Sequence, residues 1–462
     1  MPNPFGTIIS ISKAYDEETL TAQEVVSAHL KQIKQYDQKL GAYETVFASQ
    51  AMQMADAADT AIKSGYRLGP LHGIPFALKD IYHLDNTVCT NGAKIFLDNT
   101  SRYTGTIVRR LMAAGGIILG KSKTVEHAFG GWGTNQQMGT PWNPWDMNNH
   151  RIPGGSSSGS AVATSASMAV FGIGSDTGGS VRLPAGFCGL TGLKVTEGQL
   201  PCDGIMPLSQ TLDTPGPITQ TVMDTVIVYD VMRGRTGADI DHDRQHGLGL
   251  YAKADQGING LKIAVINDIE RAYCSSDVLS DYDHVVDILK SLGASIDVLS
   301  TPLSYAELAD LNGEITAIEA YNNHGAIYED KKAPLDEDVR KRVLSGKTKL
   351  AHDYINLLKH RREHMAMFRA SMAAYDAIIT PSITTTAPKI SDADQNVAPG
   401  HFTRPFNYLG VCGLSLPTTL SDAGLPYSLQ IIAKPHEEEM CIRIGMSVEK
   451  AMKSIGKPSL SS

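Results

Sequence analysis

Apolar residues near the N-terminus recur at helical spacing. They run from Val25 to Ile33 and follow Thr21-Ala-Gln-Glu24, which has the form of a capping box. An Ala- and Met-rich stretch over 45–63 continues the helical pattern. We therefore expect the chain to begin with helices, over about residues 10–65.

Short apolar runs further along the chain predict buried strands. The first is Gly73-Ile-Pro-Phe-Ala-Leu78, with Lys79 and Asp80 at its end. Further strands are predicted at 116–119, 261–266, 296–299, 377–380, 414–416 and 428–432. Helical patterns lie between or after them, at 106–114, 282–289, 335–375 and from about 437. Strands that alternate with helices indicate an α/β fold with a parallel character.

The segment 234–258 is rich in Gly and Asp and is predicted to be a long surface loop. A chain of 462 residues would suggest about three domains from length alone. However, there is no internal repeat and no low-complexity linker. Because apolar strands lie on both sides of the loop, we expect them to join one sheet.

The composition excludes several classes of protein. The formal net charge is -8, and no long run of Lys or Arg provides the basic face that a nucleic-acid binder needs. The six cysteines form no CxxC pair, so no zinc knuckle or dithiol motif is present. The N-terminus lacks the pattern of a signal peptide, and the most apolar stretch, 161–174, is too short to span a bilayer. These features predict a cytoplasmic protein without a membrane partner.

Glycine is concentrated in one part of the chain. Residues 105–216 hold 21 of the 43 glycines, which marks tight turns and close backbone approaches. Two glycine-flanked serines lie there, in Gly154-Gly-Ser156 and Thr177-Gly178-Gly179-Ser180. The second turn has little side-chain bulk, so its N–H groups can point at one oxyanion. An anion-binding loop or a purely structural turn would fit the same residues, but no Gly-Lys-Ser/Thr follows to make a P-loop.

Ser157 offers a different nucleophile. Gly155-Ser-Ser157-Ser-Gly159 satisfies G-x-S-x-G, the nucleophile elbow of α/β-hydrolases, which would make the protein a Ser–His esterase. That elbow follows a buried strand, whereas residues 148–153 are polar and end in proline. The context therefore argues against this alternative.

A serine nucleophile needs a base, and Lys79 is the candidate. It follows an apolar run that would carry it into the interior, and burial keeps lysine neutral. The alternative is a structural ion pair of Lys79 with Asp80 or Asp176.

Several of these segments resemble the amidase signature family. The motifs are Gly73–Asp80, Gly154–Ala161 and Asp176–Ala185, in the order and spacing of the family. Similar segments at 186–196, 405–410 and 424–430 extend the resemblance over nearly the whole chain. It implies a single three-layer α/β/α domain over 1–462, around a large mixed, mostly parallel twisted sheet. A signature core over about 70–220 would be completed by residues 259–462.

The resemblance also implies roles for the motif residues. Ser180 would be the nucleophile, Ser156 the bridging serine after a cis peptide bond, and Lys79 the base. The N–H groups of Thr177, Gly178, Gly179 and Ser180 would hold the oxyanion. No metal or organic cofactor is implied.

The substrate implied is a small-molecule amide, carbamate or urea-like compound, and the enzyme could be a homodimer. Gly131 and Trp132 are candidates for the pocket wall. Arg182 would bind a substrate carboxylate or form an ion pair beneath the nucleophile turn.

The family also includes the glutamine-hydrolysing subunit of a tRNA-dependent amidotransferase. Such members usually have Ser-Leu-Asp-Gln-Ile-Gly-Pro where this chain has Thr211-Leu-Asp-Thr-Pro-Gly-Pro217. Their acidic glutamine-recognising residue would fall near Gly400 or His401, and neither is acidic. We therefore expect a stand-alone amidase.

Overall fold

The computed structural model describes residues 3–460. Its strands form one eleven-stranded sheet. The strands are β1 (Tyr43–Val46), β2 (Pro75–Lys79), β3 (Ile117–Ser122), β4 (Phe171–Asp176), β5 (Thr191–Lys194), β6 (Thr214–Thr219), β7 (Lys262–Val265), β8 (Ser295–Val298), β9 (Ala377–Pro381), β10 (Cys412–Leu420) and β11 (Pro426–Ala433).

Helices connect and cover these strands. They are α1 (Ile8–Asp16), α2 (Ala22–Leu40), α3 (Ala48–Lys63), α4 (Thr106–Ala113), α5 (Ser158–Ser165), α6 (Arg182–Phe187), α7 (Val222–Met232), α8 (Gly237–His246), α9 (Gly249–Asp255), α10 (Asp268–Arg271), α11 (Ser276–Ser291), α12 (Tyr305–Glu329), α13 (Glu337–Leu344), α14 (Ala351–Ser371), α15 (Arg404–Tyr408) and α16 (Glu438–Ala451).

The sheet is mixed, as the resemblance implied. Its order is β1-β3-β2-β4-β6-β5-β10-β11-β9-β7-β8. Strand β2 is parallel to β3 and β4, and β7 is parallel to β8 and β9. From β4 to β9 the neighbouring strands are antiparallel, so parallel pairing has a smaller share than expected.

Helices lie on both faces of the sheet. On β11, Gln430 accepts a hydrogen bond of 2.7 Å from Arg182 of α6. The next residue, Ile431, faces α16, because a Cβ on Gly445 of that helix would lie 3.7 Å from the Ile431 Cδ1. Consecutive residues of a strand point to opposite faces. The three-layer α/β/α architecture is therefore confirmed.

The segment predicted as a surface loop, 234–258, is instead largely helical. Thr236 and Asp239 form a capping box at the start of α8, and Gly247 ends that helix in the left-handed conformation. Helix α9 then buries Leu250, Tyr251 and Ala254. The loop prediction was wrong because few apolar residues mark these short helices, whereas caps define their ends.

In residues 3–460, no helix is long and apolar enough to cross a membrane.

Candidate active site

Lys79 lies at the carboxyl end of β2, a strand whose residues are all buried. Its side chain is fully buried, and the Nζ donates hydrogen bonds to the Ser156 Oγ at 2.8 Å and the Ser175 Oγ at 2.9 Å. Burial lowers the pKa of Lys79 from 10.5 to about 7, although Asp213 and Asp176 oppose the shift. Near neutral pH a large share of Lys79 is therefore uncharged and able to accept a proton.

Two other fully buried lysines show what a structural lysine looks like in this fold. Lys121 forms an ion pair of 2.8 Å with Asp80, and Lys194 donates to the backbone carbonyls of Val195 and Val411. In the described part of the chain, Lys79 forms no ion pair with Asp80 or any other carboxylate within 4.0 Å. Its partners are two hydroxyls, which can pass on a proton.

Ser156 lies just before α5 and is fully buried. The peptide bond between Gly155 and Ser156 is cis, as the resemblance implied. The Ser156 carbonyl accepts a hydrogen bond of 3.0 Å from the Thr124 hydroxyl, which fixes the backbone. The Ser156 hydroxyl is thereby held against the Lys79 Nζ.

The turn from Thr177 to Ser180 follows β4 and is held by the Asp176 carboxylate. That carboxylate accepts hydrogen bonds from the Gly179 N–H at 2.7 Å and from the Arg182 Nε at 3.0 Å. Burial alone would raise the pKa of Asp176, but the Arg182 guanidinium more than offsets it and holds the pKa below its usual value. An ionised Asp176 thus shapes the turn from beneath.

The Gly179 N–H does not fit its expected place in an oxyanion hole, since it already donates to Asp176. By contrast, the N–H groups of Thr177, Gly178 and Ser180 donate to no other group within residues 3–460. Gly179 has a φ of +124°, and a Cβ there would lie 2.2 Å from the Thr403 Oγ1. Only glycine fits this position, for backbone and for space.

Ser180 opens into a cavity of about 650 Å³. Gly131 and Trp132 line the same cavity, as expected for a pocket wall. The indole N–H of Trp132 donates to the carbonyls of Asp394 and Val397, which fixes the ring. In the described residues, the Ser180 hydroxyl has no hydrogen-bond partner. The structure thus places a free hydroxyl, the Thr177–Ser180 turn and the predicted pocket wall around one space.

Arg182 does not reach this cavity. It is fully buried, and its guanidinium donates to Asp176, Gln430, Asn407 and the Thr403 carbonyl. The ion pair beneath the turn is therefore what Arg182 forms, and the carboxylate-binding role considered for it is wrong.

Ser157 is also buried away from the cavity. Its hydroxyl donates to the Ser175 carbonyl at 3.3 Å and accepts from the Ser175 N–H at 3.3 Å. Both bonds lock Ser157 into the packing of α5 on β4, so the geometry gives no support to a nucleophile elbow.

The structure adds residues that no motif indicated. Ser175 is the second partner of Lys79, and Asn312 of α12 donates to the Thr177 carbonyl at 3.2 Å. Gly400, His401 and Arg404, which precede or begin α15, line the cavity. These segments are distant in sequence and are joined only by the fold.

The chain matches the family described as Amidase over residues 24–442. It belongs to this family. It is 30% identical to the A component of the glutamyl-tRNA(Gln) amidotransferase of Alkaliphilus metalliredigens, over 96% of both chains. It is 32% identical to the 2-amino-5-chloromuconic acid deaminase of Comamonas testosteroni, over 93% of this chain and 92% of that protein.

Solved structures give the same result. One is an s-triazine catabolic enzyme from a vestigial protein complex, with inhibitor bound. Its TM-score to this amidase is 0.88 at 27% identity, over 98% of this chain and 100% of that one. The protein is therefore an amidase-signature hydrolase that acts on carbon–nitrogen bonds.

Proposed function

We propose that this amidase hydrolyses a small-molecule amide through an acyl-enzyme on Ser180, with Ser156 and Lys79 as the proton relay. The observation that supports it most is the 2.8 Å contact between the Lys79 Nζ and the Ser156 Oγ. A buried lysine with a pKa of about 7 is a base in the range where amide hydrolysis needs one.

In the first half of the reaction, the Ser180 Oγ attacks the amide carbonyl. Its proton passes to Ser156, whose own proton passes to neutral Lys79. The C–N bond then breaks, and the amine leaves with a proton returned along the same relay. Water next attacks the Ser180 ester, gives up a proton to the relay, and releases the carboxylic acid with the free serine.

The oxyanion would be held by backbone N–H groups. Thr177, Gly178 and Ser180 have N–H groups that donate to no other described residue, and they border the cavity. Donors fixed by a turn need no reorganisation as the charge develops, which makes them effective in the transition state. Asp176 would act as a positioning residue, since it holds the turn by its backbone.

A glutamine-hydrolysing component of an amidotransferase is the second candidate, favoured by the 30% identity to the Alkaliphilus protein. Gly400 and His401 do line the cavity, and neither offers a carboxylate for an amino group. We therefore expect glutamine to be a poor substrate. Ammonia release from glutamine at a rate equal to the best amide of a panel would favour the amidotransferase role instead.

The assembly is proposed to be a homodimer, although the amidotransferase relative is one component of a larger enzyme and the s-triazine relative comes from a protein complex. Light scattering after size exclusion tests this. A mass of about twice 49.7 kDa supports the homodimer, whereas 49.7 kDa or a co-purifying second chain contradicts it.

The proton relay is tested with matched pairs of variants on a panel of aryl amides, primary amides, carbamates and ureas. Lys79→Ala and Ser156→Ala should each abolish turnover, because members of a relay act as a unit. Lys121→Met and Ser158→Ala are the controls, a second buried lysine and a neighbouring buried serine. The relay is wrong if folded Lys79→Ala retains a near-normal rate, or if Lys121→Met is equally inactive per folded molecule.

A further inference from the structure

The cavity contains an arginine whose charge is not balanced by a close partner. Arg404 is the first residue of α15 and lines the cavity together with Ser180. Within residues 3–460, its guanidinium forms no hydrogen bond and no ion pair, although it has five N–H donors. Other arginines in the same region are used by the protein itself: Arg182 holds Asp176, and Arg342 donates to Phe129 and Gln395.

Two glycines make room for Arg404 beside the catalytic turn. A Cβ on Gly313 of α12 would lie 3.0 Å from the Arg404 Nη2, and one on Gly178 would lie 3.7 Å from its Nε. The guanidinium therefore packs between α12 and the turn that carries Ser180. A group bound to Arg404 would lie within a few ångströms of a carbonyl held at that turn.

The charges around Arg404 leave it available. Lys341 and Asp338 also line the cavity but pair with each other at 3.5 Å. Asp310, the acidic residue that favours its charged form, is exposed and lies beyond the 4.0 Å of an ion pair. His401 pairs with Glu270 at 2.7 Å. A cation that is partly desolvated without a partner is costly, and an anionic ligand would offset that cost.

We infer that Arg404 binds a carboxylate of the substrate, so that the enzyme selects amides of molecules that carry a carboxylate near the scissile bond. The planar fork of a guanidinium matches a carboxylate in two parallel hydrogen bonds. The inference rests on the proposed function for the position of the scissile bond, but the binding of the carboxylate does not depend on which residue is the nucleophile.

The kinetic test compares succinamate, glutaramate and adipamate with their methyl esters, which keep the amide and lose the charge. We expect wild type to prefer at least one acid over its ester by about tenfold or more in kcat/KM, as for a charged hydrogen bond. Arg404→Met should bring that preference to about one, and Arg404→Lys should restore part of it. Arg362→Met removes an exposed charge on α14 and should leave the preference unchanged.

A binding test separates this inference from the catalytic proposal. Succinate, glutarate and adipate are titrated calorimetrically into Ser180→Ala protein and into the Ser180→Ala/Arg404→Met double variant, after both melting curves have shown folded protein. We expect binding to the first and a loss of about tenfold or more in the second. The inference is overturned if no dicarboxylate binds the first, if both bind equally, or if esters are preferred by wild type. Turnover that survives Ser180→Ala would instead refute the nucleophile and leave the binding result standing.

Discussion

The pH dependence of the rate follows directly from the burial of Lys79. At pH 7 an ordinary lysine is neutral in only about one molecule in 3,000, whereas Lys79, with a pKa of about 7, is neutral in about half. Burial thus raises the active fraction about a thousandfold at neutral pH. Because the neutral form is the base, kcat/KM should rise about tenfold per pH unit below pH 7 and level off above it.

The assay is a profile of kcat/KM from pH 5 to 10 on one amide, with wild type and three variants. Because a histidine limb would also lie near ~6.5, the variants decide the origin of the limb. Lys79→Arg cannot lose its proton and should be inactive at every pH. His401→Gln changes a histidine that lines the cavity, and His127→Gln changes a buried histidine, so both should keep the limb.

Two results would refute this reasoning. One is a limb near pH 10, which would mean that Lys79 is not desolvated in the working enzyme. The other is a limb that vanishes in either histidine variant, which would assign the base to histidine.

Three further substitutions test the supporting geometry. Ser157→Ala should retain most of the rate, since its hydroxyl only bonds backbone groups of Ser175, and a total loss measured on folded protein would revive the esterase alternative. Arg182→Met should cost about 3–5 kcal/mol in denaturant unfolding, because it leaves a buried carboxylate unpaired, and a change below 1 kcal/mol would contradict that role. Gly179→Ala should lower kcat by about 100-fold or more by displacing the turn from Thr403, and a near-normal kcat would show that the turn tolerates a Cβ.

Much of the fold could be predicted where local rules are strong. The capping box at Thr21 and the strand that ends at Lys79 are where the pattern placed them. Helix α12 was not predicted, because its buried residues surround the whole helix rather than one stripe and leave no clear period. The charged stretch 335–375 was expected to be one helix, but it divides into α13 and α14 around Gly346, whose Cα packs against Ala317 with no room for a Cβ.

The candidate site divides in the same way. The motifs placed Lys79, Ser156 and Ser180 near one another because each motif ends a strand or begins a helix at one edge of the sheet. The motifs could not show that Asp176 takes the Gly179 N–H, or that Arg182 is wholly used beneath the turn. Arg404 carries no local signal at all, since its importance comes from what does not surround it in the folded chain.

The central claim is that Ser180 is the residue that becomes acylated. The most direct measurement is tandem mass spectrometry of the protein after reaction with an aryl phosphonyl fluoride, which traps an activated serine. We predict a single label on the peptide that contains Ser180, and none in Lys79→Ala, where the serine is no longer activated. A label on Ser157, or no label on an enzyme that hydrolyses amides, would contradict the account.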